Sequence, residues 1–220
     1  MKKRLFALVV GVWAVAMSAV AMGAVTPIPP SGYYEEQCND APGPGGLALQ
    51  GNSANDKIVG SDKRDLLRGG GGNDSITGNE DNDCLFGQAD NDKVSGDDGD
   101  DTVNGGGGND KLKGNDGNDS IDAGPANDRV NGNDGRDQIR GRGGEDKIKG
   151  SDGNDVVKAG GGNDRVNGND GNDSLRGGSG NDVITDTEGR NKIDCGKGED
   201  KVTTNRDSTV SRDCEKVKIR

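Results

Sequence analysis

The sequence predicts an all-β protein built as a parallel β-solenoid, and two observations indicate this fold. From Gly51 to Thr203 the chain divides into seventeen nonapeptides without an insertion or a deletion. In each nonapeptide a glycine-rich segment precedes a short segment with an apolar residue at position eight, from Ile58 to Val202. One such repeat is too small to bury its own apolar side chain, so the repeats must stack on one another.

Each nonapeptide is expected to combine a turn with a short strand, as in GGGGNDKLK at 105–113. Glycine tolerates positive φ, and asparagine at position five also tolerates left-handed conformations, so the first part of the repeat is a tight turn. The last three residues have strand character, with one side chain pointing inward. Position six is Asp in every repeat except one, which has Asn191 instead.

A second period of eighteen residues indicates that one coil holds two repeats. Position three is acidic in every second repeat: Asp62, Glu80, Asp98, Asp116, Asp134, Asp152, Asp170 and Glu188. Position seven is basic in the opposite phase: Lys57, Lys93, Lys111, Arg129, Lys147, Arg165 and Lys201. Odd repeats therefore stack on odd repeats, and even repeats stack on even repeats.

The stacking predicts two columns of position-six carboxylates, one on each edge of the coil. Neighbours in a column are about 4.8 Å apart, and like charges at that distance repel by roughly 1 kcal/mol or more. A divalent cation between turns would remove the repulsion. Carboxylate and carbonyl oxygens favour calcium, with magnesium second, and the chain has no His for zinc or copper. The alternative is that Asp, Asn and Gly act only as turn residues.

The nonapeptide resembles the RTX (repeats-in-toxin) repeat, glycine-glycine-x-glycine-x-aspartate-x-apolar-x, over residues 51–203. The resemblance implies a right-handed parallel β-roll with calcium between stacked turns, held by position-six carboxylates and turn carbonyls. Nine odd turns leave eight gaps and eight even turns leave seven, so about fifteen ions is the maximum. The implied side-chain ligands are Asp56, Asp65, Asp74, Asp83, Asp92, Asp101, Asp110, Asp119, Asp128, Asp137, Asp146, Asp155, Asp164, Asp173, Asp182 and Asp200.

Some repeats depart from the pattern of the family. Lys63, Asp81 and Asp90 occupy position four, where a glycine-like turn is expected, so the sites nearest the N-terminus are expected to be weak or empty. Asn191 is expected to weaken the last even site. RTX toxins, proteases and lipases carry a separate active domain, which this sequence lacks, so we expect no enzymatic activity.

The predicted organisation has four parts. Residues 1–24 have the basic start and apolar run of a secretory signal peptide, with a membrane anchor as the alternative. Residues 25–41 are a linker or N-terminal cap, 42–203 the β-roll and 204–220 a C-terminal cap in which Val210 and Val217 cover the core. Within 43–50, Leu49 takes position eight but Leu47 stands where Asp belongs, which predicts a first rung without metal.

The cysteines are expected to form disulfides, because export leads to an oxidising compartment. Cys195 and Cys214 are nineteen residues apart, about one coil plus one residue. Stacking places their Cα atoms about 5 Å apart, which is within disulfide range. The pair Cys38–Cys84 follows only by elimination, and it requires the linker to fold back.

The net charge of −11 disfavours nucleic acid as a partner and favours cations. We therefore expect a secreted bacterial calcium-binding protein without a membrane span after signal removal, whose folding is coupled to calcium. Its role would be structural or binding. The alternative is a calcium-dependent adhesion or matrix protein at the cell surface that binds carbohydrate or an anionic polymer. The basic column at position seven would be its binding row, or else a solvated row that balances the aspartates.

Overall fold

The computed structural model describes residues 42–220 and the two-residue strand Thr26–Pro27. The predicted signal peptide and the rest of the 25–41 linker lie outside the described residues. The described residues form strands, turns and bends, and none of them belongs to a helix that is long and apolar enough to cross a membrane.

The strands are short and follow one another at regular intervals along the chain. In chain order they are β1 (Thr26–Pro27), β2 (Ala48–Gln50), β3 (Lys57–Val59), β4 (Leu66–Gly70), β5 (Ser75–Glu80), β6 (Cys84–Ala89), β7 (Lys93–Asp98), β8 (Thr102–Gly107), β9 (Lys111–Asp116), β10 (Ser120–Pro125), β11 (Arg129–Asp134), β12 (Gln138–Gly143), β13 (Lys147–Asp152), β14 (Val156–Gly161), β15 (Arg165–Asp170), β16 (Ser174–Ser179), β17 (Val183–Asp186), β18 (Lys192–Lys197), β19 (Lys201–Thr204), β20 (Thr209–Val210) and β21 (Lys216–Ile219).

The strands form two sheets that run along the solenoid. Sheet A contains β1 and every even-numbered strand, and sheet B contains the odd-numbered strands from β3 to β21. From β2 onward all pairs are parallel, and within the repeats they are offset by eighteen residues; Val130, for example, pairs with Leu112 and Ile148. The prediction of a parallel solenoid with two repeats per coil is therefore confirmed.

The strands are longer than the sequence suggested. A typical strand such as β9 runs from position seven of one repeat to position three of the next, so only positions four to six remain for the turn. The expected three-residue strand was too short because residues at positions two and three also pair between coils. Asn133 and Asp134, for example, align with Asn115 and Asp116.

Positive φ occurs at positions two and four of the repeat and not at position five, so the left-handed interpretation of the position-five asparagines was wrong. Asp81 and Asp90 at position four adopt a φ of 72°, as a glycine would, whereas Lys63 does not have a positive φ. The turn at position four brings backbones close together. A Cβ on Gly171 (φ +131°) would lie 1.4 Å from the carbonyl oxygen of Gly153 in the preceding coil.

The main core is one continuous cluster of side chains inside the coil, and both sheets contribute to it. Position-eight residues such as Leu112 and Ile121 are fully buried, and the small position-one residues Ala123, Ala159 and Cys195 lie among them. A parallel stack places each apolar side chain beside its equivalents one coil above and one coil below, which explains why position eight is always apolar.

The two ends extend the stack. Leu49 pairs with Leu67 and packs on the core, so 43–50 form a first rung as expected. At the other end β20 and β21 pair with β18 and β19, and Val210 packs on the core. Val217 does not cover the core, because it lies on the last strand of sheet B and is 42% exposed.

One disulfide of the two is confirmed. Cys195 and Cys214 are bonded, with their Cα atoms 5.3 Å apart, and the bond ties the C-terminal tail to the last repeat. Cys38 lies outside the described residues, so the pairing of Cys38 with Cys84 stays a prediction.

Candidate metal centre

The position-six aspartates form two columns, and both columns lie inside the coil. The sixteen side chains are between 0 and 3% exposed. The sequence predicted the columns but did not predict their burial. Stacked ionised carboxylates in a partly dry interior are far less favourable than the same carboxylates at a solvated edge.

One oxygen of every position-six carboxylate except that of Asp56 accepts a backbone N–H from the preceding coil. The backbone N–H of Asp119 donates to Oδ1 of Asp137 at 2.9 Å, and the N–H of Asp101 donates to Oδ1 of Asp119 at 2.8 Å. The position-one glycine provides the space, since a Cβ on Gly132 would lie 1.9 Å from Oδ2 of Asp137. Glycine at position one was therefore a signal that the carboxylate points inward, and the sequence interpretation missed it.

The second oxygen, Oδ2, has no hydrogen-bond partner in most rungs. A buried polar atom without a partner is unfavourable, more so when it carries charge. Asp56 is an exception, because its Oδ2 accepts the N–H of Asn52 at 2.8 Å, and Oδ2 of Asp65 similarly accepts the N–H of Ser61. The fourteen unpartnered Oδ2 atoms belong to Asp74, Asp83, Asp92, Asp101, Asp110, Asp119, Asp128, Asp137, Asp146, Asp155, Asp164, Asp173, Asp182 and Asp200.

Burial raises the pKa of these carboxyl groups. Desolvation is the main cause for Asp101, whose pKa rises to about 8, and the charges of Asp119 and Asp83 raise it further. Desolvation likewise raises the pKa of Asp83 and of Asp137 to about 7. The N–H bond from the preceding coil acts in the opposite direction, but it does not offset the burial. In the metal-free coil some of these carboxyl groups therefore hold a proton near neutral pH, whereas others, such as Asp110 and Asp146 with a pKa raised to about 6, are mostly ionised there.

The donor set fits a hard divalent cation. Each column offers an unpartnered carboxylate oxygen in most coils, together with backbone carbonyls, and these donors are all oxygens, as calcium prefers. Among the described residues, no group of three or more His, Cys, Asp or Glu side chains converges on one point. Calcium takes roughly six to eight oxygen ligands, so backbone carbonyls would have to complete the shell.

The position-five residues form a ladder on the outside of the turns. The N–H of Asn91 donates to Oδ1 of Asn73 at 3.0 Å, and the N–H of Asn109 donates to Oδ1 of Asn91 at 2.7 Å. On the other edge the N–H of Asn118 donates to Oδ1 of Asp100 at 2.7 Å. Asparagine recurs at position five because its side chain satisfies the turn N–H of the next coil.

The acidic and basic columns of the second period lie on the same sheet. Lys111 and Asp116 are the first and last residues of β9, and Arg129 and Asp134 occupy the same places in β11. Five residue steps in a strand span about 16 Å. The basic column therefore follows the turns of the odd repeats, and the acidic column precedes the turns of the even repeats, at the opposite edge of the coil.

These features define a class of protein, a parallel β-solenoid whose stacked turns direct carboxylates and carbonyls toward one another. The family model of the RTX calcium-binding nonapeptide repeat (4 copies) matches residues 50–85, 77–112, 104–139, 113–148, 140–175 and 176–208. These matches together span 50–208, so the chain belongs to the RTX calcium-binding nonapeptide repeat family and is a calcium-binding β-roll. The search of curated proteins gave no match.

Proposed function

We propose that this protein is a secreted β-roll whose folding depends on calcium, with a structural or binding role and no catalysis. The fourteen buried Oδ2 atoms without a partner are the observation that supports it. In the absence of a cation each of these carboxylates is either ionised and unpaired inside the coil or protonated. A bound cation removes this cost in the folded state alone, and binding to the folded state alone stabilises it.

The proposed ligands are the sixteen position-six aspartates together with turn carbonyls, for at most about fifteen ions. Calcium supplies the positive charge that the interior of the coil lacks. We expect the sites nearest the N-terminus to be the weakest. Asp56 and Asp65 already use Oδ2 to accept backbone N–H groups, and Lys63 does not form the left-handed turn of other repeats.

The proposed organisation keeps the four predicted parts: a signal peptide at 1–24, a linker or cap at 25–41, the roll at 42–203 and a C-terminal cap at 204–220. Two contacts support the caps. Thr26 and Pro27 pair antiparallel with Gln50 and Leu49 of β2, and the tail adds β20 and β21 to the other end. Export is tested by fractionating cells that express the full chain, and a protein retained in the cytoplasm at full length would contradict it.

Calcium titration of the mature chain tests the main proposal. In chelator we expect a circular dichroism spectrum of a largely unfolded chain, and in millimolar calcium a β-rich spectrum. The titration is to be repeated with magnesium, which is expected to act only weakly. A chain that gives the same β-rich spectrum in chelator and in calcium would overturn the proposal.

A second candidate function is binding of an anionic polymer along the outer face of sheet B. Lys111, Arg129, Lys147 and Arg165 follow one another at position seven of neighbouring strands, with Lys113 and Lys149 across a shallow groove at position nine. The strands are about 4.8 Å apart, so the cations form a regular row. No residue of this row belongs to a salt bridge among the described residues.

The test uses dextran sulfate as the probe and the calcium-loaded protein. The variant Lys111→Glu/Arg129→Glu/Lys147→Glu is expected to lose binding, and the binding of the wild type is expected to weaken with salt. The matched control is Arg140→Glu/Lys158→Glu/Lys192→Glu, which changes three cations on sheet A. Equal binding by both variants would contradict this function and would leave calcium-coupled folding unaffected.

A further inference from the structure

Repeat 186–194 is the one repeat with a carboxylate at position one and none at position six. Its position six is Asn191, and its position one is Asp186, whereas the other sixteen repeats have Gly, Ala or Cys at position one. Position one points into the coil, and Asp186 is 0% exposed. The repeat therefore still contains one buried carboxyl group, although it enters the interior from a different place in the chain.

The carboxylate of Asp186 lies beside that of Asp173 in the preceding coil of the same column. A Cβ on Gly168 would be 2.2 Å from Oδ2 of Asp186 and 2.3 Å from Oδ2 of Asp173, so these two oxygens are at most 4.5 Å apart. In a regular rung such as that of Gly150, the corresponding neighbours are Oδ2 of Asp155 and a backbone carbonyl. At Gly168 a carboxylate oxygen of Asp186 therefore comes closer than the backbone carbonyl does at Gly150.

Asn191 makes the same hydrogen bond as a position-six Asp, but it has no second carboxylate oxygen and no charge. Its Oδ1 accepts the N–H of Asp173 at 2.8 Å, as an Asp would, while its Nδ2 donates to the carbonyl oxygen of Glu188 at 2.6 Å. An amide nitrogen cannot bind a cation. The gap between Asp173 and Asn191 would therefore have one carboxylate, where the gap between Asp155 and Asp173 has two.

Both oxygens of Asp186 and Oδ2 of Asp173 are buried and accept no hydrogen bond of ordinary geometry. The backbone of Glu188 and the side chain of Asn191 lie near enough to lower the pKa of Asp186, but burial and the charge of Asp173 outweigh them and raise this pKa to about 8. Three such oxygens together inside a protein call for a positive charge, because buried charges are normally paired or bound to metal. The described residues contain no Lys or Arg that pairs with either carboxylate.

We infer that Asp186 is a calcium ligand that acts with Asp173, and that it replaces the carboxylate missing at Asn191. The last even site then keeps two carboxylates, and we no longer expect Asn191 to weaken it. The inference rests on the proposed calcium-dependent folding, since it assigns one of the sites that this function requires.

The test counts bound calcium by equilibrium dialysis of the mature wild-type chain and three variants. We expect Asp186→Asn to bind one calcium fewer than the wild type. The double variant Asp186→Gly/Asn191→Asp restores the family arrangement and is expected to bind the wild-type number. Glu188→Gln is the matched control, because it removes an exposed carboxylate from the same repeat, and it is expected to leave the number unchanged.

The outcomes separate the inference from the proposed function. If Asp186→Asn binds as many ions as the wild type with the same affinity, the inference is overturned, and a proton shared between Asp173 and Asp186 accounts for their proximity. If Asp186→Asn fails to reach the wild-type circular dichroism in calcium, the double variant decides: a count one above the wild type overturns the inference, because the wild type would then lack the ion of this gap, and an equal count supports it. If the wild type itself binds no calcium, the proposed function fails as well.

Discussion

Glycine has two separate uses in this repeat. They differ in which atoms a Cβ added to the glycine would contact. At position one, as in Gly132, the neighbour is the tip of a carboxylate. At position four, as in Gly171, the neighbour is backbone of the preceding coil, and φ is positive. A side chain tip can move, as the natural Ala123 and Ala159 at position one indicate. Backbone fixed in a ladder cannot move without breaking its hydrogen bonds.

We expect Gly171→Ala to lower the stability of the calcium-loaded protein by about 1–3 kcal/mol or more, because it adds left-handed strain to a backbone clash. Gly143→Ala is the matched control. Gly143 is at position three, and the nearest atom to its Cβ would be 4.0 Å away. Denaturant unfolding in calcium measures both changes. Equal midpoints for the two variants would show that the turn does not require glycine.

In most position-six carboxylates, Oδ1 accepts a backbone N–H and Oδ2 has no partner. Substitution by Asn keeps the hydrogen bond to Oδ1 and removes the charge and the second oxygen, so it tests the two roles separately. We expect Asp137→Asn to keep the hydrogen bond from the N–H of Asp119 but to bind at least one calcium fewer and to need more calcium to fold. In chelator the variant should show at least as much β-structure by circular dichroism as the wild type, because it removes a buried ionisable group.

Asp116→Asn provides the control for this prediction. It removes an exposed carboxylate at position three of a neighbouring rung. Its calcium titration midpoint should match that of the wild type within error. A shift as large as that of Asp137→Asn would mean that surface charge, and not the buried column, sets the calcium requirement.

At the scale of elements, the sequence predicted the two-repeat coil and the parallel pairing. The charged residues at positions three and seven recur in every second repeat, which indicates that every second repeat stacks on the last. The sequence did not predict strand length. Residues such as Asn133 and Asp134 have low β propensity and were assigned to a turn, but their partners one coil away hold them in the ladder. Pairing between distant residues outweighed local preference.

The bond between Cys195 and Cys214 joins the C-terminal tail to the last repeat. Closing a loop of this length stabilises a chain by roughly 3 kcal/mol. We expect Cys195→Ala/Cys214→Ala to leave the central rungs folded in calcium but to release the tail, because each rung contacts only its neighbours. Limited proteolysis should then cut within 204–220. A tail that stays resistant in the double variant would show that β20 and β21 are sufficient to hold it.

At the scale of the whole molecule, the buried carboxylates determine how stability depends on pH. Their pKa values in the metal-free coil are raised from 3.8 to about 7 or 8 for Asp83 and Asp101, so the folded state binds more protons than the unfolded state between these limits. Stability in chelator is therefore highest below about pH 4 and falls as pH rises toward 8.

We accordingly expect the chain in chelator to contain more β-structure at about pH 5 than at about pH 8. In calcium the order reverses, because only the ionised carboxylate binds the metal, so less calcium is needed at the higher pH. Circular dichroism at both pH values, with and without chelator, measures this. Less β-structure at the lower pH in chelator would contradict the burial of ionisable groups inside the coil.

The sequence by itself determined the nonapeptide period, the eighteen-residue coil, the identity of the position-six aspartates and the Cys195–Cys214 bond. All of these follow from spacing, because stacked coils convert a constant separation along the chain into a contact. Only the tertiary structure decided which way the carboxylates point, how far the strands extend and that Asp186 meets Asp173. These depend on atoms in a neighbouring coil, namely a backbone N–H that draws each carboxylate inward and a position-one residue that leaves or fills the space beside it.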